Sequence, residues 1–242
     1  MTPPSAGDIH EVVQATWPPV TRFTDGPWTI RDGGGGGQRV SAATANAPVS
    51  DSDIELAQAA MMALNQLALF MIREQDENLD RMLAARDYLV VDPVNLYACP
   101  IHIPTKSPAQ KLSAFTIWPP LEIMRELWAE GGIGPARIAV MNRATGAKPA
   151  LLARIKSRPA GTAFVAIHHQ IAMIHAIEVT KSLRRNGAGI NIMRAAAHWA
   201  QHQGARYFSV LVTDAYAAAN ALYRKLGMTV VGHYHYRIRQ KQ

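Results

Sequence analysis

Cysteine is almost absent from this chain, with Cys99 alone among 242 residues. A single thiol excludes an internal disulfide and fits a reducing compartment. The first residues, Met-Thr-Pro-Pro-Ser-Ala-Gly-Asp, lack the basic and apolar regions of a signal peptide. We therefore expect a cytoplasmic protein. Cys99 lies in the apolar segment 96–103, which favours a small core residue over a nucleophile.

Long apolar runs are also missing. No run reaches the roughly 20 residues that a membrane-spanning helix needs, so we expect no membrane segment. The chain has no arginine-rich tract, no zinc-finger spacing and no aromatic RNA-binding signature, which disfavours nucleic acid as a partner. Apolar residues make up 48% and charged residues 18%, as is ordinary for a globular α/β protein.

Acidic residues are scarce in the second half of the chain. Residues 131–242 contain 16 Lys and Arg but only two acids, Glu178 and Asp214, whereas residues 1–130 contain 9 basic and 16 acidic residues. The halves therefore carry formal charges of +14 and −7 within the total of +7. This asymmetry favours an anionic ligand on the basic half.

One short segment indicates where such a ligand binds. Arg184-Arg185-Asn186-Gly187-Ala188-Gly189 follows an apolar strand-like run, 171–179, and precedes an amphipathic helix, 190–201. A helix N-terminus presents free backbone N–H groups and the positive end of its dipole. The glycines let a phosphate approach the backbone closely, and the arginines add positive charge. The segment suits a pyrophosphate, although an ordinary strand-to-helix turn is the alternative.

The spacing of the glycines restricts the class of ligand. A Walker loop needs Lys-Ser/Thr after its last glycine, and a Rossmann fingerprint needs a third glycine where Ile192 stands. The Arg-x-x-Gly-x-Gly pattern instead resembles the acyl-CoA loop of the GNAT acetyltransferases. A second segment, Asn-Ala-Leu-Tyr-Arg-Lys-Leu-Gly-Met at 220–228, resembles that family's second signature. The resemblance covers roughly residues 137–239.

The resemblance implies a GNAT fold, which is α/β with a mixed, mostly antiparallel central sheet flanked by helices. It implies acetyl-CoA as co-substrate and an N-acetyltransferase that acts on a primary amine of a small molecule or peptide. No activated Ser or Cys nucleophile is visible, so we expect direct sequential transfer. The residues predicted to bind the carrier are Val179, Arg184, Arg185, Asn186, Gly187, Ala188, Gly189, Ile190 and Asn220.

Acyl transfer to an amine also needs a base. Glu178 is a candidate because it is one of two acids after residue 130 and lies six residues before the arginine pair. A salt bridge to a nearby arginine is the equally weighted alternative. Because side chains alternate along a strand, we expect Glu178 to lie on the opposite face of the strand from His175 and Val179. His175 is the rival candidate, because the ordinary pKa of histidine suits a base better than that of glutamate. A structural role as a buried histidine with satisfied hydrogen bonds is nevertheless favoured for His175.

The departing thiolate, with a pKa of roughly 8.5, benefits from a proton donor. The resemblance assigns this role to Tyr223, whose alternative role is that of a core tyrosine. Relatives often carry an asparagine seven residues before the tyrosine, where this chain has Tyr216. Asn220 lies three residues before Tyr223 instead, so its contact with the carrier is an expectation that departs from the pattern.

Four further histidines, His168, His169, His233 and His235, receive weaker interpretations. Alternation separates His168 from His169, and no cysteine or carboxylate cluster accompanies them, so we expect no metal. A cleft lined by His233, Tyr234 and His235 with N-terminal residues is the candidate acceptor site.

The N-terminal region has a strand, helix, strand order at 66–100 that resembles the order at 206–239. We therefore predict a degenerate GNAT-like region at 1–105 and the acetyltransferase domain at 106–242. Further expectations are a helix capped by Asp8, a flexible hairpin tip at Gly33–Gly37 and a strand at Arg137–Asn142.

Two rival functions remain open. The first is a non-catalytic acyl-CoA-binding sensor or regulatory module, and the second is a basic nucleic-acid-binding protein. The sequence leaves the oligomeric state open, a homodimer included.

Overall fold

A computed structural model describes residues 3–239. The helices are α1 (Ala6–Thr16), α2 (Gln38–Ser41), α3 (Asp51–Ala63), α4 (Glu77–Ala84), α5 (His102–Thr105), α6 (Glu122–Glu130), α7 (Pro135–Arg143), α8 (Ala188–His202) and α9 (Ala217–Lys225). The strands are β1 (Thr21–Asp25), β2 (Trp28–Asp32), β3 (Thr44–Ala45), β4 (Leu69–Arg73), β5 (Leu89–Pro100), β6 (Ala114–Ile117), β7 (Ala150–Ile155), β8 (Arg158–His168), β9 (Ile171–Val179), β10 (Tyr207–Thr213) and β11 (Thr229–Ile238). None of the described helices is long and apolar enough to cross a bilayer.

Eight strands form one sheet in the order β4-β11-β5-β10-β9-β8-β7-β6. All neighbouring pairs are antiparallel except β9 and β10, which are parallel. Strands β1, β2 and β3 form a separate small sheet. The predicted α/β fold with a mixed, mostly antiparallel sheet is confirmed.

Helices cover both faces of the large sheet. On β5, Tyr97 and Cys99 pack in one apolar cluster with α8 and α9, whereas Leu96 and Ala98 pack in another with α1. This division follows from the alternation of side chains along a strand. Helices α6 and α7 pack on the same side of β8 as Trp17, which follows α1.

The two halves of the chain interleave in this sheet. Strand β11 lies between β4 and β5, and β5 lies between β11 and β10, so each half inserts its last strand into the other. Each inserted strand is held by a side-chain contact with a helix of the other half. Asn95 Nδ2 of β5 donates to Asn220 Oδ1 of α9 at 3.0 Å, and His235 Nε2 of β11 lies 2.8 Å from Asp80 Oδ1 of α4. Each of these contacts joins an inserted strand to a helix of the half that receives it.

The predicted boundary at 105/106 falls at the end of α5, before a segment without helix or strand that leads to β6. Since strands from both sides of this boundary share one sheet, the independence of the halves as domains stays a prediction.

The strand predicted at Arg137–Asn142 is wrong. These residues lie in α7, which begins with Pro135 in its first turn after Gly134. Proline is favoured there because the first N–H groups of a helix need no intrahelical acceptor. Val140 and Met141 are the buried residues of this helix. The branched Ile138 and Val140 had favoured a strand.

The flexible hairpin tip predicted at Gly33–Gly37 is also wrong. The glycines form a tight turn that leads into the short α2. A Cβ on Gly36 would lie 2.6 Å from Val140 Cγ2, so the segment is packed against α7. Gly37 has φ 96° as the N-cap of α2. Glycine is required here for close packing and a left-handed backbone.

A smaller difference concerns the start of α1. Ser5, not Asp8, caps α1, and Asp8 completes a capping box from the third helical position.

Candidate active site

Strands β9 and β10 separate at one end of the sheet. Their parallel pairing runs from Ile171↔Tyr207 to Ile174↔Val210 and stops there. Strand β9 continues to Val179 and β10 continues to Thr213. A gap therefore opens between the carboxyl ends of two parallel strands, where α/β sheets bind their ligands.

A bulge in β9 lies at the start of this gap. Ala176 has φ 51°, and the pairing with β8 shifts between Phe164↔His175 and Thr162↔Glu178. Trp128 Nε1 of α6 donates to the carbonyl of Ala176 at 2.8 Å and holds the bulge. The extra residue places Glu178 on the same face as His175. The predicted opposite placement of these two side chains is wrong.

The glycine-containing segment forms the turn from β9 into α8. Gly187 is the N-cap of α8 in the left-handed region, with φ 86°, and Arg185 before it has φ 65°. Gly187 offers no side chain to cap the helix. The first N–H groups of α8 therefore have no intrahelical acceptor and are available to an anion. A Cβ on Gly187 would meet nothing closer than 4.0 Å, so the space before this end of the helix is open.

Two other residues of this segment have structural roles. A Cβ on Gly189 would lie 3.3 Å from Leu222 Cδ2, so this glycine allows α8 to approach α9. Asn186 Nδ2 donates to the carbonyl of Arg184 at 3.1 Å and ties the turn together. Their predicted contacts with a carrier remain predictions.

Arg184 folds back onto β9. Its Nη2 lies 3.1 Å from Glu178 Oε1, and its Nε donates to the carbonyl of Val179 at 3.0 Å. The arginine side chain is half exposed, whereas that of Glu178 is 19% exposed. The salt bridge weighed as the alternative role of Glu178 is therefore present.

Glu178 lies against the turn that ends α6. A Cβ on Gly131 would lie 2.5 Å from the carboxylate carbon of Glu178. The glycine thus leaves the space that the carboxylate occupies. Glu178 is placed between β9 and the turn from α6 to α7, at the bulged end of the strand.

Tyr223 of α9 lies on the other side of the sheet, in the apolar cluster with α8. Its ring makes an edge-to-face contact with Tyr97 at 5.5 Å between centroids. Tyr97 pairs with Val210, the last β10 residue that pairs with β9, so Tyr223 lies at the level where the gap begins. Burial, with the neighbouring Tyr97, raises the pKa of Tyr223, which keeps the hydroxyl protonated at neutral pH.

A comparison with known protein families matches part of the chain. Residues 121–228, slightly less than half of the chain, match the model of the acetyltransferase (GNAT) family. We call this segment the GNAT domain. No curated protein matches the chain significantly.

Several solved structures resemble the whole chain. A GCN5-related N-acetyltransferase from Kribbella flavida is 18% identical, with a TM-score of 0.71 over 98% of this chain and 96% of that one. A functionally unknown conserved protein from Staphylococcus epidermidis is 12% identical, with a TM-score of 0.70 over 92% and 94%. A tandem GNAT protein from the clavulanic acid biosynthesis pathway is 11% identical, with a TM-score of 0.60 over 97% and 89%. At these identities the likeness concerns the fold.

Asn220 of the GNAT domain is buried, and its amide is fully used. Its oxygen accepts from Asn95 Nδ2 at 3.0 Å and from the Tyr97 hydroxyl at 3.1 Å. Its nitrogen donates to the carbonyls of Thr213, Asp214 and Tyr216 at 3.1–3.3 Å. These bonds join the β10–α9 turn to β5. The predicted contact of Asn220 with the carrier stays a prediction, but the bonds that it makes support a structural role.

His175 is 3% exposed and has partners for both ring nitrogens. Thr16 Oγ1 donates to the carbonyl of Val12, so it accepts from His175 Nε2 at 2.9 Å. Arg39 Nη1 lies 3.4 Å from His175 Nδ1. Burial, with the charge of Arg39, lowers the pKa of His175 well below its usual value. The interpretation as a buried, satisfied and neutral histidine is therefore supported over a base.

Cys99 is 3% exposed, and burial raises the pKa of its thiol to about 12. A thiol that stays protonated at neutral pH is a poor nucleophile. The predicted role of Cys99 as a small core residue is confirmed.

The remaining histidines differ in part from expectation. His169 has φ 51°, which breaks the alternation, so His168 and His169 both approach Glu11, at 3.5 and 3.6 Å. The separation of these two side chains by alternation was wrong, and the expected lack of a metal stays a prediction. His233, Tyr234 and His235 all line one cavity with Glu74 and Asp80, although Tyr234 also packs in the α1 cluster.

Proposed function

We propose that this protein is an acyl-CoA-dependent N-acetyltransferase that moves an acetyl group from acetyl-CoA directly onto a primary amine of a small molecule or peptide. The observation that carries the proposal is the gap between β9 and β10, with the uncapped N-terminus of α8 at the turn that leaves β9. An extended ligand with a pyrophosphate at one end fits both features. We further propose a cytoplasmic location.

The carrier is held by the turn and by the edge of β9. The free N–H groups of the first turn of α8 and the side chain of Arg185 face the pyrophosphate. The backbone of Val179 pairs with the amides of the pantetheine arm as a neighbouring strand would. Acetyl-CoA supplies the thioester whose carbonyl carbon is attacked.

Arg184 links carrier binding to the base. In the free protein its guanidinium forms an ion pair with the Glu178 carboxylate and donates a hydrogen bond to the Val179 carbonyl. An arm paired with Val179 displaces the arginine, which then turns toward the pyrophosphate. Glu178 is released from its ion pair only when the carrier is in place.

The chemical step uses both faces of the sheet. Glu178, on the α6 side, takes a proton from the ammonium form of the acceptor, directly or through a water. The amine nitrogen attacks the thioester carbon, and the carbon–sulfur bond breaks. Tyr223, on the α8 side, donates its hydroxyl proton to the departing thiolate. The second proton that the nitrogen loses as the amide forms returns to Tyr223 through water. The inert Cys99 supports direct transfer without an acyl-enzyme.

A free-thiol release assay tests the proposal. The full chain is incubated with acetyl-CoA and a panel of amines, polyamines, amino acids and peptides, and product CoA is measured. Release that depends on both an amine and Glu178 is the expected result. Tight binding of CoA without release across the panel would instead support the non-catalytic sensor. An affinity for DNA or RNA that falls steeply with salt, without binding of CoA, would support the nucleic-acid-binding rival.

A further inference from the structure

A small cavity of about 110 Å³ lies in the N-terminal half, among α1, β2, β3 and β4. Four ionisable side chains line it, and all are of basic residue types: His10, Arg31, Arg39 and Arg73. None of its described lining residues is Asp or Glu. Its neutral polar lining comes from Gln14, Thr29, Thr44 and Asn46. The lining can therefore donate many hydrogen bonds to a guest but offers it no negative charge.

Arg31 carries a buried charge that no carboxylate of residues 3–239 neutralises. The residue is 5% exposed. Its Nη1 donates to the carbonyl of Ala42 at 2.7 Å, and both terminal nitrogens approach Thr44 Oγ1, at 3.1 and 3.2 Å. Burial, with the charges of Arg22 and Arg73, lowers the pKa of Arg31 to about 10. A guanidinium held among neutral acceptors carries a desolvation cost that an anion would offset.

Arg39 is also buried, but its surroundings differ from those of Arg31: burial lowers its pKa, and interactions with the hydroxyls of Tyr234 and Tyr236 outweigh this and raise the pKa. Its Nη1 lies 3.4 Å from His175 Nδ1, and its Nε is buried without a hydrogen-bond partner among the described residues. Arg73 has a carboxylate partner, because Asp76 Oδ2 lies 2.9 Å from its Nε. Within residues 3–239, Arg31 and Arg39 thus have no carboxylate in an ion pair with them, and Arg31 also lacks the full compensation that the tyrosines give Arg39.

The fold itself creates the space. Ala43, just before β3, makes a single parallel bridge to Phe70 of β4, after which the two segments separate. Thr44 and Asn46 on one segment and Met71 and Arg73 on the other line the cavity. As at β9 and β10, two segments that pair in parallel separate here, and basic side chains and residues of α1 line the space between them.

We propose that this cavity is a second ligand site, which binds one small anion carrying a carboxylate or phosphate group. Guanidinium groups pair with both anions through two parallel hydrogen bonds. The volume admits a few heavy atoms beyond a single anionic group, which excludes the carrier proposed for the β9–β10 gap.

Calorimetric titration of the full chain with inorganic phosphate and, separately, with succinate tests the site and distinguishes the two chemistries. We expect one of them to bind with an affinity that falls at least tenfold in Arg31→Gln. Arg81→Gln is the control, because Arg81 is exposed on α4 and does not line the cavity. Arg185→Asn, which affects the turn before α8, should leave this binding unchanged. The site can thus succeed or fail independently of the proposed transferase activity.

Asn46→Asp gives a second test that does not remove an arginine. The change places a carboxylate of nearly the same shape at the cavity. We expect a higher melting temperature and loss of anion binding, because the new charge replaces the guest. Three results would each overturn the proposal: no binding of either anion by the unchanged protein, an equal loss in Arg81→Gln and Arg31→Gln, or a lower melting temperature in Asn46→Asp.

Discussion

The guanidinium of Arg184 lies 3.1 Å from the carboxylate of Glu178 and donates from Nε to the carbonyl of Val179 at 3.0 Å. The Arg184 side chain thus contacts both Glu178, which is the proposed base, and Val179, which is the proposed partner of the pantetheine arm. In the sequence these residues lie on either side of the end of a strand, and the turn that follows brings them together. The first prediction concerns this pair.

Glu178→Gln should lower kcat by about 100-fold or more, because removal of a general base typically has an effect of this size. The affinity for CoA, measured by calorimetry, should change little. Glu130→Gln is the control, since Glu130 is an exposed acid beside Gly131, which Glu178 contacts. If kcat falls by less than threefold, a water or another group is the base.

Arg185→Asn should weaken the binding of CoA about tenfold, the size expected for one charge-assisted hydrogen bond. Asparagine tolerates the left-handed backbone at this position, where φ is 65°, so the change removes charge without adding strain. Arg206→Asn removes an equal charge from an exposed position beyond the other end of α8. Equal losses in the two variants would show that only the net charge of the protein matters.

Tyr223→Phe should lower kcat by tenfold or more and leave the affinity for CoA and the melting temperature nearly unchanged. The Tyr223 hydroxyl has no hydrogen bond to the rest of residues 3–239 that its loss would break. Tyr97→Phe is the matched comparison, because its hydroxyl donates to Asn220. That variant should lose stability and keep kcat. Unchanged turnover in Tyr223→Phe would remove Tyr223 from the donor role.

Asn220→Ala should lower the free energy of unfolding by about 2–4 kcal/mol, since it leaves several buried polar groups without partners. Urea unfolding measures this loss, with the exposed Asn78→Ala as control. Calorimetry on the folded variant then tests the role predicted from the sequence. An affinity for CoA equal to that of the unchanged protein supports the structural role, whereas a large loss supports contact with the carrier.

The stability of the protein should fall as the pH decreases below about 6.5. Burial, with the charge of Arg73, lowers the pKa of His10 to about 4, so the unfolded chain binds this proton more readily than the folded one. The stability linked to His10 is therefore complete above about pH 6.5 and is lost as pH falls toward 4. We expect a loss of about 2 kcal/mol between pH 7.5 and 5. Urea unfolding should show a smaller loss in His10→Gln and an unchanged one in the exposed His202→Gln.

The sequence predicts the parts of this protein that depend on local chemistry. The left-handed turn at Gly187 and the following helix were predictable because glycine spacing and apolar periodicity act over a few residues. The position of Tyr223 near the end of a helix, and its role as proton donor, followed from the family resemblance. Glu178 was found by counting acids in a basic half.

Other features depend on contacts that are distant in the sequence. The bulge at Ala176 is held by Trp128, and no pattern within β9 reveals it. The helix at Arg137–Asn142 and the turn at Gly33–Gly37 pack against each other, and each was misinterpreted because its partner was unknown. The cation-lined cavity gathers Arg31, Arg39 and Arg73 from three separate elements, so only the fold shows that, among the described residues, Arg73 alone of the three pairs with a carboxylate.

The exchange of β5 and β11 between the halves has a consequence for how the chain can be divided. A cut in the segment between α5 and β6 would leave each fragment with a strand whose neighbours belong to the other fragment. Unpaired strand edges of this kind promote aggregation. Neither fragment should accumulate in soluble form when produced alone, and simultaneous production should restore a non-covalent complex. Each half therefore depends on the other to complete its part of the sheet.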